Sequence, residues 1–102
     1  MYKVYEESGK KYCEVEALKI TPIKNGMQIH FICPFCSTFL KKNGKPLIKP
    51  RLYKHCHGLR EDEYAQGCVK KRIPHCLGEK FPYDKFTSFK INITKNTKIK
   101  KK

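Results

Sequence analysis

The chain has 102 residues, of which 39% are apolar, and it carries six cysteines and a formal net charge of +14. This length predicts one domain with a small core, and domains of this kind are often stabilised by a metal. No apolar run approaches the roughly 20 residues that a membrane-spanning helix needs, so we predict no membrane partner.

The first third of the chain is predicted to be β. Residues 2–6 are rich in Val and Tyr, Ser8-Gly9 favours a turn, and residues 11–20 alternate between polar and apolar side chains. Residues 27–32 then form a strand that leads directly into a cysteine pair. We therefore predict an N-terminal β meander over residues 1–32.

The cysteine pair, Cys33-Pro34-Phe35-Cys36, is typical of a metal-binding turn. Two thiolates three positions apart can hold one tetrahedral ion. A redox motif of the thioredoxin type would begin a helix here, whereas Ser37-Thr38-Phe39 is poor helix material and a turn, Asn43-Gly44, follows closely. The pattern favours a zinc-ribbon hairpin over a redox site.

The second half of the chain is predicted to contain one short helix and two strands. The helix covers residues 59–66, with acidic residues in its first turn and Gly67 at its end. Strands are predicted at residues 69–73 and 86–93, and in the second Phe89, Ile91 and Ile93 alternate onto one face. Residues 95–102 are rich in lysine and poor in apolar residues, which predicts a disordered basic tail.

The predicted fold is a small, mostly β, α+β domain with zinc-ribbon-like hairpins around one structural zinc. The domain is predicted to cover residues 1–94. After the meander it continues with a metal-binding core at residues 33–76 and a C-terminal strand segment at residues 77–94.

Two more ligands are expected from the histidines and cysteines after the turn. In an extended segment, His55 and His57 point to one side and Cys56 to the other, and neighbouring residues 75 and 76 also point to opposite sides. The preferred ligand set is Cys33, Cys36, His57 and Cys76. The alternates are His55 and His75, and weaker candidates are Cys56 and Cys68.

The compartment bears on how these cysteines are interpreted. The first eleven residues are polar and include Glu6 and Glu7, which is not typical of a secretory signal. We therefore expect a reducing intracellular compartment, the cytoplasm or nucleus, where cysteine spacing indicates metal binding rather than disulfides. Cys13 lies in the predicted meander and is expected to be a buried core thiol.

Three short motifs resemble a small zinc-binding module of uncharacterised phage, actinobacterial and large-DNA-virus proteins. They are Cys33-Pro34-x-Cys36, His55-x-His57-Gly58 and Arg72-x-x-His75-Cys76, within residues 33–76. The module itself runs CPxC, HxHG, then G-x-R-x-x-HC. This chain differs by 18 residues between the first two motifs and by a glycine, Gly67, five residues before the arginine. The resemblance implies a zinc site with ligands from these motifs, and a viral protein is one of the origins that it suggests.

The positive charge is concentrated in one part of the sequence. Residues 17–60 contain nine Lys or Arg and no acidic residue. Because such side chains displace counterions from phosphates, this predicts contact with the backbone of DNA or RNA, within a larger nucleoprotein assembly or virion. The predicted nucleic-acid-binding residues are Lys41, Lys42, Lys45, Arg51, Lys54, Lys70, Lys71, Arg72, Lys100, Lys101 and Lys102.

Two alternatives to a binding domain remain open. Residues 54–58 and 67–70 are similar to the DHxH…GxVRG stretch of HNH and endonuclease-VII nucleases, with Lys54 in place of the aspartate. That resemblance implies His55 and His57 as catalytic residues and a second divalent ion. Its acidic ligands would come from Glu61, Asp62 or Glu63. The other alternative is a structural adaptor without nucleic-acid contact.

Overall fold

The computed structural model describes residues 2–72, 76 and 80–100, without the side chains of Lys71 and Arg72. The fold is small and mostly β with one short helix, as predicted. The elements are β1 (Lys3–Glu7), β2 (Lys10–Ile23), β3 (Gly26–Ile32), β4 (Thr38–Leu40), β5 (Pro46–Arg51), β6 (Lys54–Leu59), α1 (Glu61–Gln66), β7 (Cys68–Arg72), β8 (Ser88–Asn92) and β9 (Lys98–Ile99).

Strand β2 joins two half-sheets. Its first part, residues 10–16, pairs with β1 and with β8, which in turn pairs with β7; these strands are the first half-sheet. Its second part, residues 17–23, pairs with β3 and β9, and β3 pairs with β6; these are the second half-sheet. A bulge between Ala17 and Lys19 separates the two parts, and such bulges bend and twist a strand. Strands β4 and β5 form a separate hairpin.

The core lies against the inner faces of both half-sheets. Alternation along each strand buries Val15 of β2, Ile29 and Phe31 of β3, and Phe89 and Ile91 of β8. The Phe31 and Phe89 rings lie 4.8 Å apart, so they join the two half-sheets directly. The alternation predicted for β8 from the sequence, with residues 89 and 91 on one face, matches this burial.

Helix α1 links β6 to β7 and ends where the sequence predicts. The backbone N–H of Arg60 donates to the carboxylate of Glu63 at 3.0 Å, which closes the first turn. At the other end Gly67 has a φ of 82° and donates to the carbonyl of Glu63. Within the described residues, no helix combines the length and apolar character that a membrane crossing needs.

Gly67→Ala is expected to lower the free energy of unfolding by about 1 kcal/mol, because a Cβ is disfavoured in the left-handed region. Gly58→Ala is the matched control. Gly58 lies in β6 outside that region, and a Cβ there meets nothing within 4 Å. Denaturant unfolding of both variants checks this, and equal shifts in the two midpoints would contradict the role of Gly67.

Within the segment predicted to be a disordered tail from residue 95, residues 98–99 instead form a short strand, β9. Lys98 and Ile99 of β9 pair with β2, and the Thr97 hydroxyl donates to the carbonyl of Ala17 at 2.9 Å. The backbone N–H of Lys100 donates to Ile20. The pairing of β2 with β8 stops at Glu16, so the carbonyls beyond it need other donors, which this segment supplies. Lys101 and Lys102 lie outside the described residues.

Candidate metal centre

The turn after β3 aims two cysteine sulfurs at one point. The backbone N–H of Ser37 donates to the carbonyl of Cys33 at 3.2 Å, which closes the turn. The backbone N–H of Cys36 donates to the Sγ atom of Cys33 at 3.4 Å. Both cysteines are buried. The sequence expectation of a compact CxxC turn is thus realised at the end of a strand, where no helix follows.

Strand β6 brings a histidine to the same place. It runs antiparallel to β3, and His55 lies opposite Phe31. Just before β6, Tyr53 makes two hydrogen bonds to the cysteine turn. Its carbonyl accepts from the backbone N–H of Cys33 at 2.9 Å, and the backbone N–H of Tyr53 donates to the hydroxyl of Ser37 at 2.9 Å. These bonds fasten the start of β6 to both ends of the cysteine turn.

Four side chains form what we call the metal-sized cluster, a group compact enough to hold one metal ion. The ligand atoms of Cys33, Cys36, His55 and Cys76 all lie within 4.8 Å of one another. The Sγ atoms of Cys33 and Cys76 are 3.5 Å apart. In a tetrahedral site with metal–sulfur distances of about 2.3 Å, ligand atoms are separated by about 3.5–3.8 Å. The group therefore has the size and the donor atoms to hold one metal ion.

The histidine of this group is the alternate, His55, and not the preferred His57. The register explains the difference. His57 lies opposite Ile29, two residues further from the cysteine turn, and that is about 6.6 Å along a strand. Its ring stacks on Phe31 with centroids 6.0 Å apart. Both histidines are buried on the inner face, as the alternation predicted, and His75 lies outside the described residues.

The protonation of these thiols depends on their burial. Burial raises the pKa of Cys33, an effect that backbone N–H donors partly offset, and burial also raises the pKa of Cys76. A cation would favour their deprotonation, since the thiolate is the metal-binding form. Burial, followed by the charge of Cys33, raises the pKa of Cys13 to about 12. Cys13 is fully buried, as expected of a core thiol.

The donor atoms of the metal-sized cluster indicate which ion it suits. Comparison with protein-family models, curated proteins and solved structures finds no match. Three thiols and one imidazole within metal-binding distance are the donor atoms that zinc sites use. All six cysteines are free, which is compatible with a reducing compartment.

The residues predicted to contact phosphate lie in three parts of the molecule. Those of the turn between β4 and β5 are exposed: Lys41, Lys42 and Lys45. Arg51 ends β5, and Lys54 and Lys100 are exposed on the second half-sheet. Lys70 instead lies on β7, where it forms an ion pair with Glu7 at 2.7 Å. The side chains of Lys71, Arg72, Lys101 and Lys102 fall outside the described part of the chain.

The structure adds two residues that sequence reasoning missed, Lys19 and His30, to the predicted phosphate-binding residues, and it places Lys98 of the predicted basic tail beside them. Lys19, His30 and Lys98 lie in register on adjacent strands of the second half-sheet. The alternation of β2 and β3 was a usable signal for Lys19 and His30, because each lies on the face of its own strand that points away from the core. The sequence predicted Lys98 as part of the basic tail but not its position, which the pairing of β9 with β2 decides.

His55→Gln is expected to abolish stoichiometric metal binding, whereas His57→Gln is expected to keep one ion per chain. Glutamine is a poor substitute for imidazole as a ligand of a soft metal centre. His57→Gln is the matched control because it makes the same change on the same buried face of β6. Metal analysis of the two purified variants checks the assignment, and loss of the ion from His57→Gln alone would reverse it.

Proposed function

We propose that this protein is a small zinc-stabilised domain that binds nucleic acid through backbone phosphates in a reducing compartment. The observation that carries the proposal is the position of the metal-sized cluster under a basic sheet. Three of its four ligands, Cys33, Cys36 and His55, come from the acid-free residues 17–60. The same segment supplies β3, β6 and the second part of β2.

Zinc is the ion that this donor set favours. Three thiolates and one imidazole in a buried tetrahedral group are typical of structural zinc, which fixes the fold and takes no part in a reaction. The turn after β3 together with the β4–β5 hairpin supports a zinc-ribbon-like arrangement. His55 lies inside this group, so the ion would fasten β6 to the end of β3.

The distribution of ion pairs supports a phosphate-binding surface on the second half-sheet. On the first half-sheet, Lys70 pairs with Glu7 and Lys90 pairs with Glu14 at 3.0 Å. Residues 17–60 contain no carboxylate side chain that could neutralise the lysines of the second half-sheet. An excess of unneutralised lysines attracts polyanions and releases their counterions on binding.

A nuclease is less well supported by this geometry. A catalytic base must reach its substrate, but the side chains of His55 and His57 are buried on the inner face of β6. His55 also belongs to the metal-sized cluster. Of the acidic residues of α1, Glu63 is buried and turned back to the start of the helix.

One feature favours a structural adaptor as the second candidate. The β4–β5 hairpin exposes apolar side chains: Leu40 is 55% exposed and Ile48 is 93% exposed. An apolar hairpin of this kind fits a protein partner. Such a partner is compatible with nucleic-acid binding by another face, so the two candidates differ in whether nucleic acid is bound at all.

Titration of the metal-loaded protein into labelled duplex and single-stranded oligonucleotides tests the proposal. We expect binding that is insensitive to sequence and weakens steeply between about 50 and 200 mM salt. Failure of folded, metal-loaded protein to bind at about 50 mM salt would overturn the proposal and leave the adaptor. Mg²⁺-dependent cleavage of the oligonucleotide by the pure protein would instead indicate a nuclease.

A further inference from the structure

The outer face of the second half-sheet is polar and basic. Because side chains alternate along a strand, the residues opposite the buried core positions point outwards. They include Lys19 and Thr21 of β2, Gln28 and His30 of β3, and Lys54 of β6. This face is the opposite side of the same strands whose inner face holds Phe31 and His55.

Three lysines lie near one residue of this face, His30. Lys19 is its partner on β2, Lys54 lies opposite Ile32, two residues along β3, and Lys100 follows β9 and bonds to Ile20 of β2. The Nε2 atom of His30 lies 2.9 Å from the Thr21 hydroxyl, which fixes the ring between β2 and β3. Partial burial lowers the pKa of His30, and the charges of Lys19, Lys54 and Lys100 lower it further. Strand pairing thus brings these lysines to the region of His30, although they are up to 81 positions apart in the sequence (Lys19 to Lys100).

Strand β9 extends the basic face to a second edge. Lys98 lies opposite Lys19 in the parallel pairing of β9 with β2, and cross-strand partners share a face. The strand order from β9 through β2 and β3 to β6 covers three interstrand spacings, about 14 Å. Lysines thus stand at both edges of the face, close to the 12 Å or so by which the major groove separates two phosphate backbones.

The charge of this face is not neutralised by its own strands. The outer-facing lysines come from residues 17–60 and 95–100, and neither segment contains Asp or Glu. Each lysine therefore contributes to a surface of one sign, which a polyanion complements.

The composition of the face favours a duplex over a single strand. Single-strand binding relies on aromatic side chains on which bases stack. At the outward positions of the described strands β2 (residues 19–23), β3, β6 and β9 there is no Phe or Tyr. Phosphate contacts from an open sheet face without Phe or Tyr do not require unstacked bases, which suits an intact duplex.

We propose that the outer face of the second half-sheet, with Lys19, Lys54, Lys98 and Lys100 around His30, binds the phosphate backbones of duplex nucleic acid. This inference rests on the proposed function and assigns it to one surface. It includes Lys54 and Lys100, which the sequence predicted to contact phosphate, and leaves out the predicted lysines of the β4–β5 turn. An ion bound by the metal-sized cluster would hold His55, and with it the neighbouring Lys54 of β6, in place from the inner side.

Two triple variants that remove equal charge separate the candidate surfaces. The face variant combines Lys19→Ala, Lys54→Ala and Lys100→Ala, and the turn variant combines Lys41→Ala, Lys42→Ala and Lys45→Ala. For a 20-bp duplex, each lost phosphate contact lowers the slope of log K against log salt by about 0.9. We expect the face variant to lower this slope by about 3 and to weaken binding about tenfold or more at 100 mM salt. The turn variant is expected to lower the slope by less than about 1.

A third variant with arginine at the same three face positions keeps the charge and should keep the slope. Metal content and circular dichroism verify that each variant is folded. A turn variant that loses as much affinity as the face variant would overturn the assignment while the proposed function stands. Tighter binding of a single strand than of the duplex would overturn the choice of ligand. Absence of binding by the unaltered protein would count against the proposed function itself.

Discussion

Cys36→Ser is expected to abolish metal binding and to lower the free energy of unfolding by about 4 kcal/mol or more. Metal-binding energy is folding energy in small domains of this kind, and structural zinc contributes about 10–16 kcal/mol in zinc-finger peptides. A domain is stable by only about 5–15 kcal/mol in total. Cys36 is buried within the metal-sized cluster. Its loss therefore removes one of four ligands, and the three that remain cannot complete a tetrahedral site.

Cys56→Ser is the matched control for this prediction. Cys56 neighbours His55 on β6, but it lies on the opposite face of the strand and outside the cluster. The same chemical change there is expected to keep one ion per chain and to cost less than about 1 kcal/mol. Metal analysis and denaturant unfolding measure both quantities. Retention of the ion and of the unfolding midpoint in Cys36→Ser would contradict the assignment of this cysteine.

Phe89→Ala is expected to lower the free energy of unfolding by about 3–5 kcal/mol, because it leaves a cavity where the two half-sheets meet. Phe89 is 1% exposed on β8, an interior strand between β2 and β7. Its ring centroid lies 4.8 Å from that of Phe31 and 5.0 Å from that of Phe81. The substitution therefore removes contacts to β3 and to the segment before β8 at once.

Ile48→Ala is the control for the loss of an apolar side chain without a cavity. Ile48 is 93% exposed on β5, so its truncation is expected to change stability by less than about 0.5 kcal/mol. Denaturant unfolding of the metal-loaded proteins measures both effects. A cost below about 1 kcal/mol for Phe89→Ala would show that the packing between the half-sheets is looser than the structure indicates.

Local sequence signals predicted the features that depend on neighbouring residues. The cysteine turn needs only residues 33–36, and the end of α1 needs only the glycine that adopts the left-handed conformation, Gly67. The alternation of β8 correctly predicted its buried face, because one buried side of a strand leaves a period of two. These are the parts of the fold in which chain proximity and spatial proximity coincide.

The features that the sequence did not predict depend on register between distant strands. His55 and His57 share a face, so alternation alone could not choose between them, and the pairing of β6 with β3 decides for His55. The lysine-rich end of the chain has the composition of a disordered tail, yet open backbone carbonyls of β2 bind it as β9. The proximity of Lys19, Lys54 and Lys100 to His30 follows from both pairings together.

The two faces of the second half-sheet connect the candidate metal site to the proposed function. His55 and Lys54 are neighbours on β6, one on the inner face with the metal-sized cluster and one exposed with the basic surface. Removal of the metal is therefore expected to disturb the outer face by releasing the edge strand.

X-ray absorption spectroscopy of the metal-loaded protein tests the central claim most directly. The account predicts one zinc per chain, coordinated by three sulfurs at about 2.3 Å and one nitrogen at about 2.0–2.1 Å. Coordination by two sulfurs and two nitrogens, or a protein that folds fully without any bound metal, would contradict it.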